Sequence, residues 1–92
     1  MQVKPVVLCI EPFTPSVLEL IRRELGDAFA FRTERALPPQ PDPSVEYLLT
    51  MSTPVGQDWM ERLPSLRLVQ KLGAGSDRID LEAARQRGIR VA

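Results

Sequence analysis

Short apolar runs alternate with amphipathic stretches along this chain, and that alternation limits the possible folds more than any other feature. Residues 3–10, 28–32, 45–51, 66–72 and 89–92 have the length and aliphatic content of strands, and helical spacing appears between them. The order is βαβ, a loop, then βαβαβ. Strands joined by helical crossovers lie parallel, with right-handed connections and helices over the sheet. Residues 3–10 show no polar alternation, which suits a central strand covered on both faces. With 92 residues the chain makes one domain, and a chain of that mass buries roughly 64% of its unfolded surface, enough for a core without staples.

Local signals bound the helices. Thr14 can cap a helix whose first position is Pro15, where the missing N–H costs nothing, and Gly26 ends it. Val17, Ile21 and Leu25 recur every fourth residue as its apolar stripe. Thr53 before Pro54 repeats the device, with Val55, Trp59 and Leu63 as the buried stripe and Pro64 as the stop. Asp80 is the N-cap of the third helix, Ile79 and Ala84 stand at the positions of a hydrophobic staple, and Gly88 closes it. Residues 33–43 carry four prolines, Pro38, Pro39, Pro41 and Pro43, and read as a surface loop.

Charge and composition exclude several function classes. Twelve basic and twelve acidic residues cancel, so no net charge draws the chain to nucleic acid or an anionic membrane. A single cysteine forbids an internal disulfide, and the absence of histidine removes both a conventional zinc site and the commonest acid–base near neutral pH. The apolar run at 6–10 is followed at once by Glu11 and Pro12, too short for a signal peptide or a membrane span. A cytoplasmic location is the expectation.

In an open α/β sheet, ligands bind beyond the carboxyl ends of the strands, where the strand order switches. Those ends are Glu11-Pro12-Phe13, Met51-Ser52-Thr53 and Gly73-Ala74-Gly75-Ser76. The third is poor in side chains, so its backbone N–H groups can approach a carboxylate or phosphate. A tight turn whose glycines serve only backbone geometry is the alternative, and spacing leaves both open. The loop is not a dinucleotide fingerprint: Arg78 stands at the third glycine position and the helix begins later, near Asp80. Asp77 reads as a turn residue, Cys9 as a buried inert thiol, and Trp59 as core. Glu11 sits at a strand's carboxyl end, but nothing in the sequence assigns it a role. Receiver domains and flavodoxins are excluded by the lack of a carboxylate after strand three and of a glycine-rich phosphate loop after strand one.

The stretch 63–91 is more specific. Leu63-Pro64-Ser65-Leu66-Arg67, a strand, Gly73-Ala74-Gly75-Ser76-Asp77-Arg78-Ile79-Asp80, and an alanine-bearing helix ending in Gly88-Ile89-Arg90-Val91 resemble the substrate domain of the NAD-dependent D-2-hydroxyacid dehydrogenases. Residues 47–63 match more loosely and 1–46 in layout only. The resemblance implies a flavodoxin-like open parallel sheet of five strands, order 2-1-3-4-5, with helices on both faces. It implies that the amides of Ala74 and Gly75 hold a substrate carboxylate and that Met51 and Ser52 line the same pocket. It also implies that NAD or NADP binds a separate Rossmann domain, and that the substrate-binding Arg and the Glu–His pair for proton exchange lie on that later part.

The expectation is therefore a single substrate-binding lobe, 1–92, ending before the nicotinamide-binding domain. Its ligand would be a small 2-hydroxy or 2-keto acid. No cofactor is expected to bind this chain alone, and no turnover is expected from it. The parent enzyme is expected to be a homodimer with its contacts largely on the later domain. A free-standing acid-binding or regulatory module, or a non-catalytic structural fragment, is the rival reading.

Overall fold

Parallel pairing joins all five strands into one sheet, in the order β2-β1-β3-β4-β5. The computed structural model describes residues 3–73 and 78–92. Among these residues the elements are β1 (Val6–Cys9), α1 (Pro15–Leu25), β2 (Ala30–Thr33), β3 (Val45–Thr50), α2 (Gln57–Arg62), β4 (Leu68–Lys71), α3 (Leu81–Gln86) and β5 (Arg90–Val91), with a 3-10 turn at Gly26–Ala28. The order is the one implied by the family resemblance. It places a switch in winding direction between β1 and β3.

Register explains which side chains make the core. Leu8 pairs with Leu48, Leu48 with Val69, and Val69 with Val91, so one row of aliphatic residues crosses four strands on one face. Trp59 and Met60 of α2 and Ala83 and Ala84 of α3 pack on that row, joined by Val55, Leu63, Leu66, Ile79 and Ile89. Such close interlocking of aliphatic volume is the main favourable term in folding. The staple positions Ile79 and Ala84 are both buried in this cluster.

The opposite face is thinly covered. Val7 and Cys9 are buried there, and Leu18 of α1 borders a cavity with Cys9. No residue of α1 is fully buried, and Val17, expected in its buried stripe, is 38% exposed. One eleven-residue helix has too little apolar surface to cover five strands. Phe29 meets Tyr47 edge-on, with ring centroids 5.7 Å apart, at the amino end of that face.

Two caps form as the sequence predicts: Val17 N–H donates to Thr14 Oγ1 at 3.4 Å, and Ala83 N–H donates to Asp80 Oδ1 at 3.0 Å. The Thr53-Pro54 cap does not form. α2 begins later, with Gly56 as its N-cap and no side-chain cap. Val55 leaves the helical path because it pairs in parallel with Ile79: its N–H donates to the Arg78 carbonyl at 2.9 Å, and its carbonyl accepts from Asp80 N–H at 2.9 Å. The Thr53 hydroxyl is directed elsewhere.

Candidate functional site

Glu11 stands one residue beyond β1 and Met51 directly after β3, so the two residues straddle the switch between β1 and β3. The chain fills that crevice with its own anion. Glu11 is 6% exposed. Its Oε1 accepts backbone N–H groups from Met51 at 2.9 Å, Ser52 at 2.6 Å and Thr53 at 3.0 Å. The Ser52 hydroxyl donates to Oε2 at 3.1 Å, and the Thr53 hydroxyl lies 3.2 Å from Oε1. Three successive amides converging on one oxygen form an anion-binding concavity, and here the anion is internal. Burial pushes the Glu11 carboxyl up, but the amides of Ser52, Thr53 and Met51 and the Ser52 hydroxyl outweigh it and hold the group at about 2, below its ordinary 4.5. The carboxylate is charged at neutral pH and fully partnered, which makes it a structural anion rather than a proton carrier.

The loop at 51–55 is therefore held twice, by Glu11 at one end and by the Val55–Ile79 bridge at the other. Thr50, buried at the end of β3, adds a third tie through its hydroxyl, which donates to the Thr53 carbonyl at 2.9 Å. The 51–53 amides are fully engaged in this way. They are not available to a further anion; of the two residues predicted in this loop, Met51 has an exposed side chain and Ser52 a hydroxyl already engaged with Glu11.

One strand further along, Leu72 N–H donates to the Thr50 carbonyl at 2.7 Å and carries the ladder to Gly73. Gly73 has φ of 113°, a conformation that L side chains rarely adopt. The Met51 side chain lies alongside it: a Cβ on Gly73 would stand 3.8 Å from Met51 Cγ. Met51 is 42% exposed. The predicted seat, Ala74 and Gly75, and the neighbouring Ser76 and Asp77 lie outside the described residues. An open cavity of about 460 Å³ lies between the same two loops, lined by Pro54, Val55, Gly56, Arg78, Ile79 and Asp80.

These residues do not fit a nicotinamide dinucleotide. The N-terminus of α3, where a pyrophosphate would lie, holds the Asp80 carboxylate, and Arg78 replaces the glycine needed for close helix–strand packing. Among the described residues no group of three or more His, Cys, Asp or Glu could hold a metal ion, and no helix is long and apolar enough to cross a membrane. Cys9 is buried, its thiol donates to the Glu11 carbonyl, and burial pushes its pKa up, as expected of an inert core thiol. Sequence reasoning missed the role of Glu11. Its partners are 40 or more residues away, and nothing local links them.

Residues 7–92 match the family described as D-isomer specific 2-hydroxyacid dehydrogenase, catalytic domain. No curated protein is similar enough to match. Among solved structures, the chain is similar to an NADPH-dependent glyoxylate/hydroxypyruvate reductase from Sinorhizobium meliloti, crystallised with NADP and malonate. The two are 25% identical with a TM-score of 0.76, over 97% of this chain and 28% of that one. A dehydrogenase from Rhizobium meliloti is 30% identical, with a TM-score of 0.69 over 91% of this chain and 31% of that one. The NAD+-bound 3-phosphoglycerate dehydrogenase of Entamoeba histolytica shares the fold, at 17% identity and a TM-score of 0.74, over 97% of this chain and 32% of that one. The chain thus spans about a third or less of the length of the structures it matches.

Proposed function

The chain belongs to the D-isomer specific 2-hydroxyacid dehydrogenase family, and we propose that it is the lobe that holds the carboxylate of a small 2-hydroxy or 2-keto acid. Hydride exchange would then involve NAD or NADP carried on a separate nicotinamide-binding domain. The observation that carries this reading is the corner at the ends of β3 and β4, where Gly73 takes a backbone conformation reserved for glycine beside the exposed Met51. Ala74 and Gly75 follow Gly73 in sequence, and a stretch so poor in side chains lets a ligand approach backbone N–H groups directly. The Ala74 and Gly75 amides are the proposed carboxylate seat, with Met51 and Ser52 beside it.

Within that reading, this lobe supplies orientation. Fixed amide dipoles hold the carboxylate, so the 2-carbon points in one direction before any chemistry begins. With no histidine in the chain, this lobe offers no imidazole for the proton exchanged with the 2-oxygen. One wall of a cleft excludes little water, so each amide–carboxylate bond keeps only part of its ~1.5–3 kcal/mol.

The test is an amide-resolved titration of the 15N-labelled chain with glyoxylate, hydroxypyruvate and malonate. Concentration-dependent shifts at Met51, Ala74 and Gly75 are expected, with weak saturation, in the millimolar range or above. A small alcohol without a carboxylate should move none of them. Shifts scattered over the surface, or none at those three residues, would overturn the reading. Residues 1–92 by themselves should show no oxidation of a D-2-hydroxy acid with NAD or NADP.

A further inference from the structure

We propose that Glu11 is a positioning residue for the acid-binding corner: its carboxylate fixes the loop at 51–53 so that the Met51 side chain is held against Gly73. The inference rests on the carboxylate-seat reading above and adds to it a residue that lies outside the pocket lining. Three observations carry it. The Glu11 oxygens receive three backbone N–H groups and two hydroxyls from consecutive residues, Met51, Ser52 and Thr53. These bonds span the β1–β3 switch, so the loop's position is tied to the end of β1 as well as to its own strand, β3. The last link is Met51, whose Cγ would stand 3.8 Å from a Cβ on Gly73.

Loop geometry alone does not supply this. Residues 51–53 are bends without helical or ladder bonds of their own. Without the carboxylate, three neighbouring N–H groups would face one another around an empty centre, and the loop would turn outward to reach water. The Val55–Ile79 bridge and the Thr50 hydroxyl would still hold its far end. The sheet would therefore survive, and the displacement would be confined to Met51 and Ser52. A binding wall that is in place only part of the time weakens apparent affinity by that fraction. Glu11 itself does not touch the ligand, since its oxygens are buried and fully engaged.

The experiment compares the wild-type chain with Glu11→Ala and Glu11→Gln, each titrated with glyoxylate and followed by amide resonances well below its unfolding temperature. Glu11→Gln keeps an acceptor oxygen of the same reach and so acts as the partial rescue. The expected order is a dissociation constant raised about tenfold by Glu11→Ala and about two- to threefold by Glu11→Gln. Met51, Ser52 and Thr53 amide protons should lose protection in the same order, while those of Val7, Leu48 and Val69 keep theirs. If Glu11→Ala does not fold, the Glu11→Gln and Thr53→Ala chains carry the comparison. Wild-type binding with unchanged affinity in the folded variants overturns the positioning role alone. No movement at Met51, Ala74 and Gly75 in the wild type overturns the carboxylate seat, and the positioning role with it.

Discussion

Ser52 donates its backbone N–H to Glu11 Oε1 at 2.6 Å and its hydroxyl to Oε2 at 3.1 Å, across 41 residues of chain. A carboxylate at the end of one strand thereby organises the loop that follows its neighbour. In an open parallel sheet the crevice at the winding switch is the usual ligand position. Here that position is occupied from within, by the Glu11 carboxylate.

The first consequence is acid sensitivity. The folded chain holds Glu11 at about 2 against an ordinary 4.5, and Asp42 at about 2 against 3.8 through the Ser44 hydroxyl and then the Arg32 guanidinium. Both pKa values are depressed on folding, so their stabilisation is complete above about pH 5 and is lost as pH falls toward 2. For Glu11 the difference amounts to about 3 kcal/mol. Urea denaturation across that range should show stability falling steeply with acid, and Glu11→Gln should flatten the fall. An acid limb of equal slope in both proteins would contradict the anchored carboxylate.

Thr53 gives a second test, because its hydroxyl serves Glu11 and not the start of α2. Thr53→Ala should cost about 1 kcal/mol in the wild type and close to nothing in a Glu11→Ala background. Asp80→Ala should cost about 1 kcal/mol in either background, since that side chain caps α3 through Ala83 N–H. A Thr53 effect that persists without Glu11 would point to a capping role after all.

The contrast between Thr14 and Thr53 shows what the sequence makes legible. Both precede a proline and an apolar stripe, and only Thr14 caps. A cap is a local event, so its signal is written within four residues. It fails where a distant group competes for the same hydroxyl, as Glu11 does. The strand order was legible from the family resemblance, and the buried row Leu8, Leu48, Val69 from apolar runs without alternation. The poor cover over Val17 was not, because periodicity marks an apolar stripe without saying how much surface meets it. Glu11 was visible as an acid at a strand end, and its partners were not, since parallel pairing brings together residues that no short window contains.

The two faces of the sheet should differ sharply in mutational cost. Leu48 is fully buried beneath α2 and α3, so Leu48→Ala should lose about 2–5 kcal/mol. Val17 lies on the thinly covered side at 38% exposure, and Val17→Ala should lose less than about 1 kcal/mol. Equilibrium unfolding of both variants checks this. Comparable losses would mean that α1 is packed far more tightly than its exposure shows.

Gly73 and Gly88 separate backbone strain from the binding corner. Both have positive φ, 113° and 70°, and neither faces a steric obstacle: a Cβ at Gly73 meets Met51 Cγ at 3.8 Å, and one at Gly88 meets nothing within 4 Å. Alanine at either position should therefore cost stability through conformation alone, about 1–3 kcal/mol. Each kilocalorie lowers the melting temperature by roughly 4–8 °C in a domain of this size. Their effects on acid binding should diverge. Gly73 opens the corner beside Met51, so Gly73→Ala should turn the following amides away and weaken glyoxylate-induced shifts at Ala74 and Gly75 severalfold. Gly88 follows α3 and leads into the amino end of β5, beside Leu68 and Arg90 and away from the carboxyl ends of the strands. Gly88→Ala should leave those shifts unchanged at temperatures where the chain is folded. Equal binding in both variants would remove Gly73 from the site and return its glycine to a purely conformational role.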